Sequence, residues 1–131
     1  MENEKSAYLY WTTPTRTTKY WIGTLTRKNG KYYFIHSKYA SKAANSFWLK
    51  IPQFQDLEKV YESDELFRFF KSRLPYGHNS EIPGILKKYG MKEYDDIELL
   101  IRSHGKLRGT INTMVYDKYE ISGTLREQDK D

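Results

Sequence analysis

The side chains that most often carry acid–base or metal chemistry are few and scattered in this sequence. No histidine stands at a metal-binding spacing, such as His-Glu-x-x-His, from another. The three histidines are His36, His78 and His104. The carboxylates Asp95, Asp96 and Glu98 could suggest a nuclease metal, but Asp95 and Glu98 stand where a helix cap and its capping-box partner are expected. We therefore predict no catalytic residues, no metal site and no cofactor.

Cysteine is absent from the chain. Its absence excludes disulfides, thiolate zinc sites, iron–sulfur clusters and a cysteine nucleophile. The eight glycines form neither a Walker A motif nor a G-x-G-x-x-G motif. The sequence therefore offers no standard nucleotide-phosphate loop.

One basic loop is a weaker candidate for anion binding. Residues 105–109 begin and end with glycine and carry Lys106 and Arg108, which together with backbone N–H groups could bind an anion. The loop follows a predicted helix, however, and so meets the negative end of the helix dipole. An ordinary helix-to-strand connection is the preferred interpretation, and anion binding through Lys106 and Arg108 is the alternative.

The densest cluster of candidate binding residues surrounds the first predicted hairpin. Arg27, Lys28 and Lys31 are interleaved with aromatic residues that include Trp21. Alternate residues of a strand face opposite sides of its sheet, so some of these rings must point away from the core. Cations beside exposed rings are typical of nucleic-acid surfaces and of protein interfaces. Lysines beside a hairpin also protect a sheet edge, which is the simpler explanation.

Composition favours an interaction module over an enzyme. The chain has 131 residues, a formal net charge of +5 and 16% aromatic residues, which is more rings than one small core needs. Tyr and Trp are enriched at protein interfaces. The charge permits attraction to nucleic acid or to an acidic protein without selecting between them. No targeting segment or bilayer-spanning run is visible, so we expect a soluble cytoplasmic protein.

The N-terminal half predicts strands. Aromatic-rich runs form three of them, and Asn29-Gly30 predicts a hairpin turn between the last two because both residues tolerate a positive φ. These runs cover residues 7–11, 19–26 and 31–36. One helical turn is expected at 38–44 and a short strand at 47–51.

The second half predicts three helices from apolar residues at helical spacing. The first covers residues 64–73 with Ser63 as its N-cap, the second covers 80–89, and the third begins at Asp95. Gly90 stands where a left-handed residue would end the second helix.

A final strand is expected at 110–116. The predicted fold is a single α+β domain spanning residues 1–131. It has an antiparallel β-sheet, a β-hairpin near the N-terminus and about three short helices packed on one side. The core is expected to cover about residues 7–117, and the tail, about residues 118–131, is expected to fray.

Several short motifs follow one another between about residues 20 and 112. They are Gly23-Thr24-Leu25, Tyr33-Phe34-Ile35, Trp48-Leu49-Lys50-Ile51-Pro52, Phe69-Phe70-Lys71-Ser72-Arg73-Leu74-Pro75-Tyr76-Gly77, Asp96-Ile97-Glu98-Leu99-Leu100, Gly105 and Gly109-Thr110-Ile111. In this order they resemble the N-terminal subdomain of HipA-type kinases. That subdomain also occurs as a free-standing, HipS-like protein in three-component toxin–antitoxin systems.

The resemblance implies a non-catalytic protein, because the kinase chemistry of that family lies in a separate C-terminal core. It implies docking on a HipA/HipT-like serine/threonine kinase and on a HipB-like helix-turn-helix protein. The role would be that of a bacterial antitoxin or regulator with indirect or direct DNA contact. The candidate partner- or anion-binding residues are Trp21, Arg27, Lys28, Lys31, Lys106 and Arg108.

Two alternatives stay open from the sequence. One is a small basic nucleic-acid-binding protein, a phage- or plasmid-type regulator or an inhibitor of another system, that uses Arg27, Lys28 and Lys31. The other is an enzyme with a dispersed site, in which His78 or His104 would lie in a pocket beside a carboxylate.

Overall fold

The computed structural model describes residues 4–75, 79–106 and 118–130. Its centre is a five-stranded antiparallel sheet in the order β4-β3-β2-β1-β5. The strands are β1 (Lys5–Thr12), β2 (Lys19–Lys28), β3 (Lys31–His36), β4 (Tyr61–Ser63) and β5 (Tyr119–Ser122). The helices are α1 (Ala40–Ala44), α2 (Arg68–Lys71), α3 (Ile82–Lys88) and α4 (Asp96–Arg102), with short 3-10 turns at Asn79–Glu81 and Glu127–Asp129. The predicted α+β fold is confirmed.

The predicted hairpin is present between β2 and β3. Lys28 lies opposite Lys31, and the two turn residues have positive φ, 53° at Asn29 and 79° at Gly30. This is the geometry that an Asn-Gly turn adopts. The hairpin therefore follows from local chemistry alone.

One face of the sheet carries the core. Ala7, Leu9 and Trp11 alternate along β1 and are buried, and their partner strands bury Leu25 and Phe34 on the same side. The remaining core residues come from the helices and from the loops between them. They include Trp48, Ile51, Phe54, Phe67, Phe70, Ile97, Leu99 and Leu100. The other face of the sheet, which we call the outer face, carries the alternate residues.

An aromatic cluster closes the core beneath β3. Phe54 stacks on Phe34 with ring centroids 4.3 Å apart, and it meets Phe67 and Tyr61 edge to face at 5.1 Å. Stacked and edge-to-face pairs are the favoured geometries of aromatic rings. The cluster fixes the loop between α1 and β4 against the sheet.

The predicted helix at 64–73 is wrong in its first half. Ser63 does not cap a helix; it ends β4 opposite Tyr32, and its hydroxyl accepts a hydrogen bond from the Glu65 N–H. Leu66 and Phe67 are buried before the helix starts, which leaves α2 with one turn. Pairing with the sheet therefore overrides the local helical signal.

The predicted strand at 47–51 is also wrong. Phe47 has a φ of 75°, which no strand allows, and the segment is a loop. The predicted turn at 38–44 is confirmed as α1. The strand expected at 110–116 lies outside the described residues.

The other two helices agree with the sequence. α3 follows a 3-10 turn and ends before Gly90, whose φ is 69°. At the start of α4 the Asp95 carboxylate accepts the Glu98 N–H at 2.9 Å. Among the described residues, no helix has the length and apolar character needed to cross a membrane.

The chain end differs from the expectation that it frays. Tyr119–Ser122 forms β5, which pairs with β1 at the edge of the sheet. Beyond it, Asp129 is only 4% exposed and accepts a hydrogen bond from the Tyr10 hydroxyl at 2.9 Å. The C-terminal segment is thus part of the folded domain, because one buried carboxylate ties it to the sheet.

Candidate interaction surfaces

Arg27 is engaged inside the chain. Its guanidinium binds the carboxylates of Asp95 at 3.0 Å and Asp96 at 2.6 Å, and Asp96 also accepts a hydrogen bond from the Tyr32 hydroxyl. The hydrogen bond to Asp95 raises the pKa of Arg27. Burial, reinforced by Asp96, raises the pKa of Tyr32 to about 12. Arg27 therefore ties the hairpin to the start of α4.

The other hairpin cations lie at the tip. The Lys31 ammonium binds Glu62 of β4 at 2.9 Å, and this hydrogen bond raises the pKa of Lys31. Both side chains are about half exposed, so the pair contributes little to stability. Lys28 lies opposite Lys31 and is half-buried.

The basic loop after α4 is only partly described. The Lys106 ammonium donates a hydrogen bond to the backbone carbonyl of Tyr119 in β5. Arg108 lies outside the described residues. Three of the described candidate cations therefore contact different elements: Arg27 contacts α4, Lys31 contacts β4 and Lys106 contacts β5.

Trp21 lies on the outer face, beside a pocket of about 220 Å³. Its indole N–H donates to the Gly23 carbonyl at 3.1 Å, which fixes the ring. The Tyr8 ring meets it edge-on at 6.3 Å, and the Tyr39 ring lies at 6.3 Å on another side. The pocket is lined by Thr18, Lys19, Tyr20, Trp21, Tyr39, Lys42, Arg126, Gln128 and Asp129. Among the candidate residues that the structure describes, Trp21 lines this concave site.

Among the described residues, the two most exposed large apolar side chains lie in the loop after α1. Phe47 is 85% exposed and Leu49 is 83% exposed, while Trp48 between them is only 3% exposed. The Trp48 indole donates to the Tyr119 hydroxyl at 2.8 Å, and its backbone N–H donates to the Ala43 carbonyl at 3.0 Å. We call residues 47–49 the display loop, because it is anchored by Trp48 and presents its two neighbours outward.

The backbone of the display loop is strained. A φ of 75° at Phe47 is in the left-handed region, where a bulky residue costs about 1–2 kcal/mol. Backbone strain of this kind is concentrated at functional sites. In the sequence this site is visible only as three consecutive large apolar residues, Phe47, Trp48 and Leu49, which were assigned to a strand.

His36 is buried in the aromatic cluster. It is 7% exposed, its ring lies 5.1 Å from Phe34 and 6.1 Å from Trp48, and neither ring nitrogen has a hydrogen-bond partner in the described structure. Burial lowers its pKa, so the imidazole is neutral. Because neither nitrogen is hydrogen-bonded to a carboxylate in the described structure, the ring is not held in an acid–base pair.

The remaining titratable groups do not converge. His104 is exposed, with Nδ1 3.8 Å from Glu120, and His78 lies outside the described residues. Within the residues that the structure describes, no group of three His, Asp or Glu side chains could hold a metal ion. The display loop and the Trp21 pocket are therefore the features with the clearest capacity to bind another molecule.

Comparison with protein-family models, with curated proteins and with solved structures finds no significant match to this chain.

Proposed function

We propose that this chain is a non-catalytic protein-interaction module that docks through its display loop. One observation carries the proposal: Phe47 and Leu49 are both more than four-fifths exposed on either side of an anchored, buried Trp48. Single exposed apolar residues are common on protein surfaces. Two such residues on either side of a buried anchor, on a strained backbone, are a feature that folding alone does not require.

The geometry of the display loop suits binding. Burying each of these side chains in a partner would contribute about 1.5–3 kcal/mol. The Trp48 anchor holds the loop in place before binding, which reduces the entropy lost on association. A small, rigid apolar projection of this kind is typical of an interface hot spot.

The partner surface should be an apolar pocket with an acidic rim. Lys50 follows the display loop and is exposed, and the whole chain carries a net charge of +5. Opposite charge around an apolar pocket would favour the encounter and fix its orientation. The resemblance to HipA N-terminal subdomains supports a specific candidate, a HipA/HipT-like serine/threonine kinase in a bacterial toxin–antitoxin system. A HipB-like helix-turn-helix protein would be a third component, and the chain would act in the cytoplasm as antitoxin or regulator.

The test is capture of the kinase by tagged protein in nuclease-treated lysate of the native cell, with mass spectrometric identification. The test variant is Phe47→Ser with Leu49→Ser. The matched control is Val60→Ser, which removes an apolar side chain that is 54% exposed at another site. We expect wild type and Val60→Ser to recover a HipA/HipT-like kinase, and the double variant to recover about tenfold less, since two hot-spot side chains are lost.

Three results would contradict the proposal. Equal recovery of the kinase by the double variant would show that the display loop is not the docking site. Failure of wild type to recover any kinase, with other proteins captured, would remove the toxin–antitoxin assignment. Recovery that depends on nucleic acid, and is lost on nuclease treatment, would also count against direct docking.

A further inference from the structure

The Trp21 pocket is assembled from three segments that are far apart in the sequence. β3 pairs with β2 only from Gly23 to Lys28, so the first residues of β2 extend beyond the end of β3. α1 packs beside them and brings Tyr39 and Lys42 to the pocket. The C-terminal turn supplies the opposite side with Arg126 and Asp129. A pocket therefore forms where the sheet gives way to a helix and a turn.

One wall of this pocket is aromatic and rigid. The rings of Trp21 and Tyr39 have centroids 6.3 Å apart and are tilted by 54°. Trp21 is held by its hydrogen bond to Gly23 and by edge contact with Tyr8, and it remains partly exposed. A fixed, partly exposed ring provides area at little entropic cost. A flat ligand group would stack here.

The rim of the pocket is cationic. Its lining includes three basic side chains, Lys19, Lys42 and Arg126, against one carboxylate. That carboxylate, Asp129, already accepts hydrogen bonds from the Tyr10 hydroxyl and from Arg126 Nε, each at 2.9 Å.

The cations differ in how they are held. Lys19 binds Glu120 at 2.7 Å, and Arg126 Nη2 also donates to the Lys19 carbonyl at 2.7 Å. The Lys42 ammonium makes no hydrogen bond or ion pair with the part of the chain that the structure describes. The rim thus retains net positive charge, and Lys42 is the cation best placed to receive an anionic group.

We propose that this pocket binds one nucleotide unit of single-stranded nucleic acid, with its base on Trp21 and its phosphate at Lys42. Aromatic stacking next to cations is the general way in which proteins bind single strands without sequence preference. At about 220 Å³ the pocket is smaller than the roughly 300–1,000 Å³ that encloses a whole small-molecule ligand. It therefore suits one unit of a longer chain better than a free nucleotide.

The outer face offers a path for the adjoining nucleotides. Tyr8, Thr24, Tyr33 and Ile35 share this face with Trp21, and Ile35 is 48% exposed. Exposed rings on an antiparallel sheet are a known platform for unstacked bases. The site does not include Arg27 or Lys31, whose charges are engaged elsewhere. It lies outside the display loop and does not rest on the proposed protein docking.

The experiment is a titration of the purified chain with fluorescent oligothymidylate and oligouridylate of about twelve nucleotides, enough to span one small domain. Anisotropy gives the affinity, and intrinsic tryptophan fluorescence reports the ring. Trp11 and Trp48 are only 7% and 3% exposed, so quenching on binding would come from Trp21. We expect binding that weakens steeply with added salt, with quenching of the tryptophan emission.

The variants separate stacking from charge. Trp21→Leu should weaken binding about tenfold or more and abolish the quench, whereas Trp21→Phe should retain most of the affinity because a ring still stacks. Lys42→Glu should also weaken binding about tenfold or more. Lys87→Glu makes the same charge change on an exposed residue of α3 away from the pocket, and it should cost about threefold or less. Circular dichroism and thermal melts confirm that each variant is folded.

Three results would overturn the proposal. One is the absence of binding by either oligonucleotide at low salt. The second is an equal loss of affinity in Lys42→Glu and Lys87→Glu, which would indicate a diffuse charge effect. The third is binding of inorganic polyphosphate or of a poly-aspartate peptide as tightly as oligothymidylate, which would leave a general anion site without base stacking.

Discussion

At Gly23 the chain passes closer to its neighbours than any side chain would allow. A Cβ at this position would lie 2.5 Å from Cζ of Phe34 and 2.7 Å from the backbone oxygen of Ile35. Gly23→Ala should therefore lower the free energy of unfolding by about 1–3 kcal/mol, as overpacking does. Gly84→Ala is the matched control, since nothing lies within 4 Å of its Cβ in α3, and it should stabilise the protein by up to about 1 kcal/mol. Urea unfolding measures both, and equal effects would show that the close contact at Gly23 is absent in solution.

His36 should make the stability depend on pH. Burial holds its folded pKa below the ordinary value of 6.5, so as the pH falls through that value the unfolded chain takes up a proton first. The stabilising effect of the neutral ring is complete above the unfolded pKa and is lost as the pH falls toward the folded pKa. His36→Leu should therefore show a smaller loss of stability than wild type between about pH 7.5 and pH 5.

The control for this pH effect is His104→Asn, at an exposed histidine with a φ of 58° that Asn tolerates. Urea unfolding at each pH should show a larger change of the pH profile in His36→Leu than in His104→Asn. A His36→Leu profile that matches wild type would mean that the imidazole is not buried in solution.

At the level of elements, Arg27 should contribute more to the free energy of unfolding than Lys28 or Lys31 of the same hairpin. It connects β2 to the start of α4 through Asp95 and Asp96, whose side chains are 30% and 15% exposed. Arg27→Met should lower the free energy of unfolding by about 1–3 kcal/mol, because it leaves two partly buried carboxylates without their partner. Lys31→Met breaks an exposed pair and should lower the free energy of unfolding much less than Arg27→Met does. Urea unfolding measures both variants, and equal losses of unfolding free energy would contradict the partly buried contact of Arg27 with Asp95 and Asp96.

The contact between Arg27 and Asp95 predicts a second loss of stability with falling pH, in a lower pH range than that of His36. Burial acts to raise the pKa of Asp95, but hydrogen bonds from Arg27 and from the Glu98 N–H outweigh it and hold the pKa below its ordinary value of 3.8. A depressed folded pKa gives stability that is complete above the unfolded value and is lost as the pH falls through the folded value. Below about pH 4 wild type should therefore lose more stability than Arg27→Met does.

Elements with strong local signals were predictable from the sequence. The Asn29-Gly30 turn and the Asp95 cap act within a few residues, so tertiary contacts did not need to be known. The helix predicted at 64–73 failed because β4 pairs with β3 over Tyr61–Ser63, and backbone pairing with the sheet prevents a helix from starting at Ser63. The strand predicted at 47–51 failed because Phe47 has a left-handed φ and Trp48 packs into the core from a loop, which local propensity does not indicate.

For the whole molecule, the two binding surfaces should be separable. The display loop and the Trp21 pocket both adjoin α1, but neither Phe47 nor Leu49 lines the pocket. Phe47→Ser with Leu49→Ser should thus reduce capture of the protein partner about tenfold and leave oligonucleotide affinity within about twofold, since neither side chain lines the pocket. Lys42→Glu should weaken oligonucleotide binding about tenfold or more and leave capture of the protein partner unchanged. Loss of both activities in either variant would show that the two surfaces act as one.

The sequence by itself determined the α+β class, the first hairpin, the cap of α4 and the absence of cysteine chemistry, because each depends on composition or on neighbours along the chain. Tertiary structure decided the rest. Pairing of Leu9 with Ile121 and burial of Asp129 beneath Tyr10 ordered a C-terminal segment that has no apolar pattern of its own. Other long-range contacts, with Asp95 and Asp96, turned Arg27 inward. Packing of α1 and of the C-terminal turn beside β2 placed Lys42 and Arg126 around Trp21. Contacts between residues so far apart leave no periodic signal in a sequence, and only the packed chain shows which cations are engaged internally and which rings face a pocket.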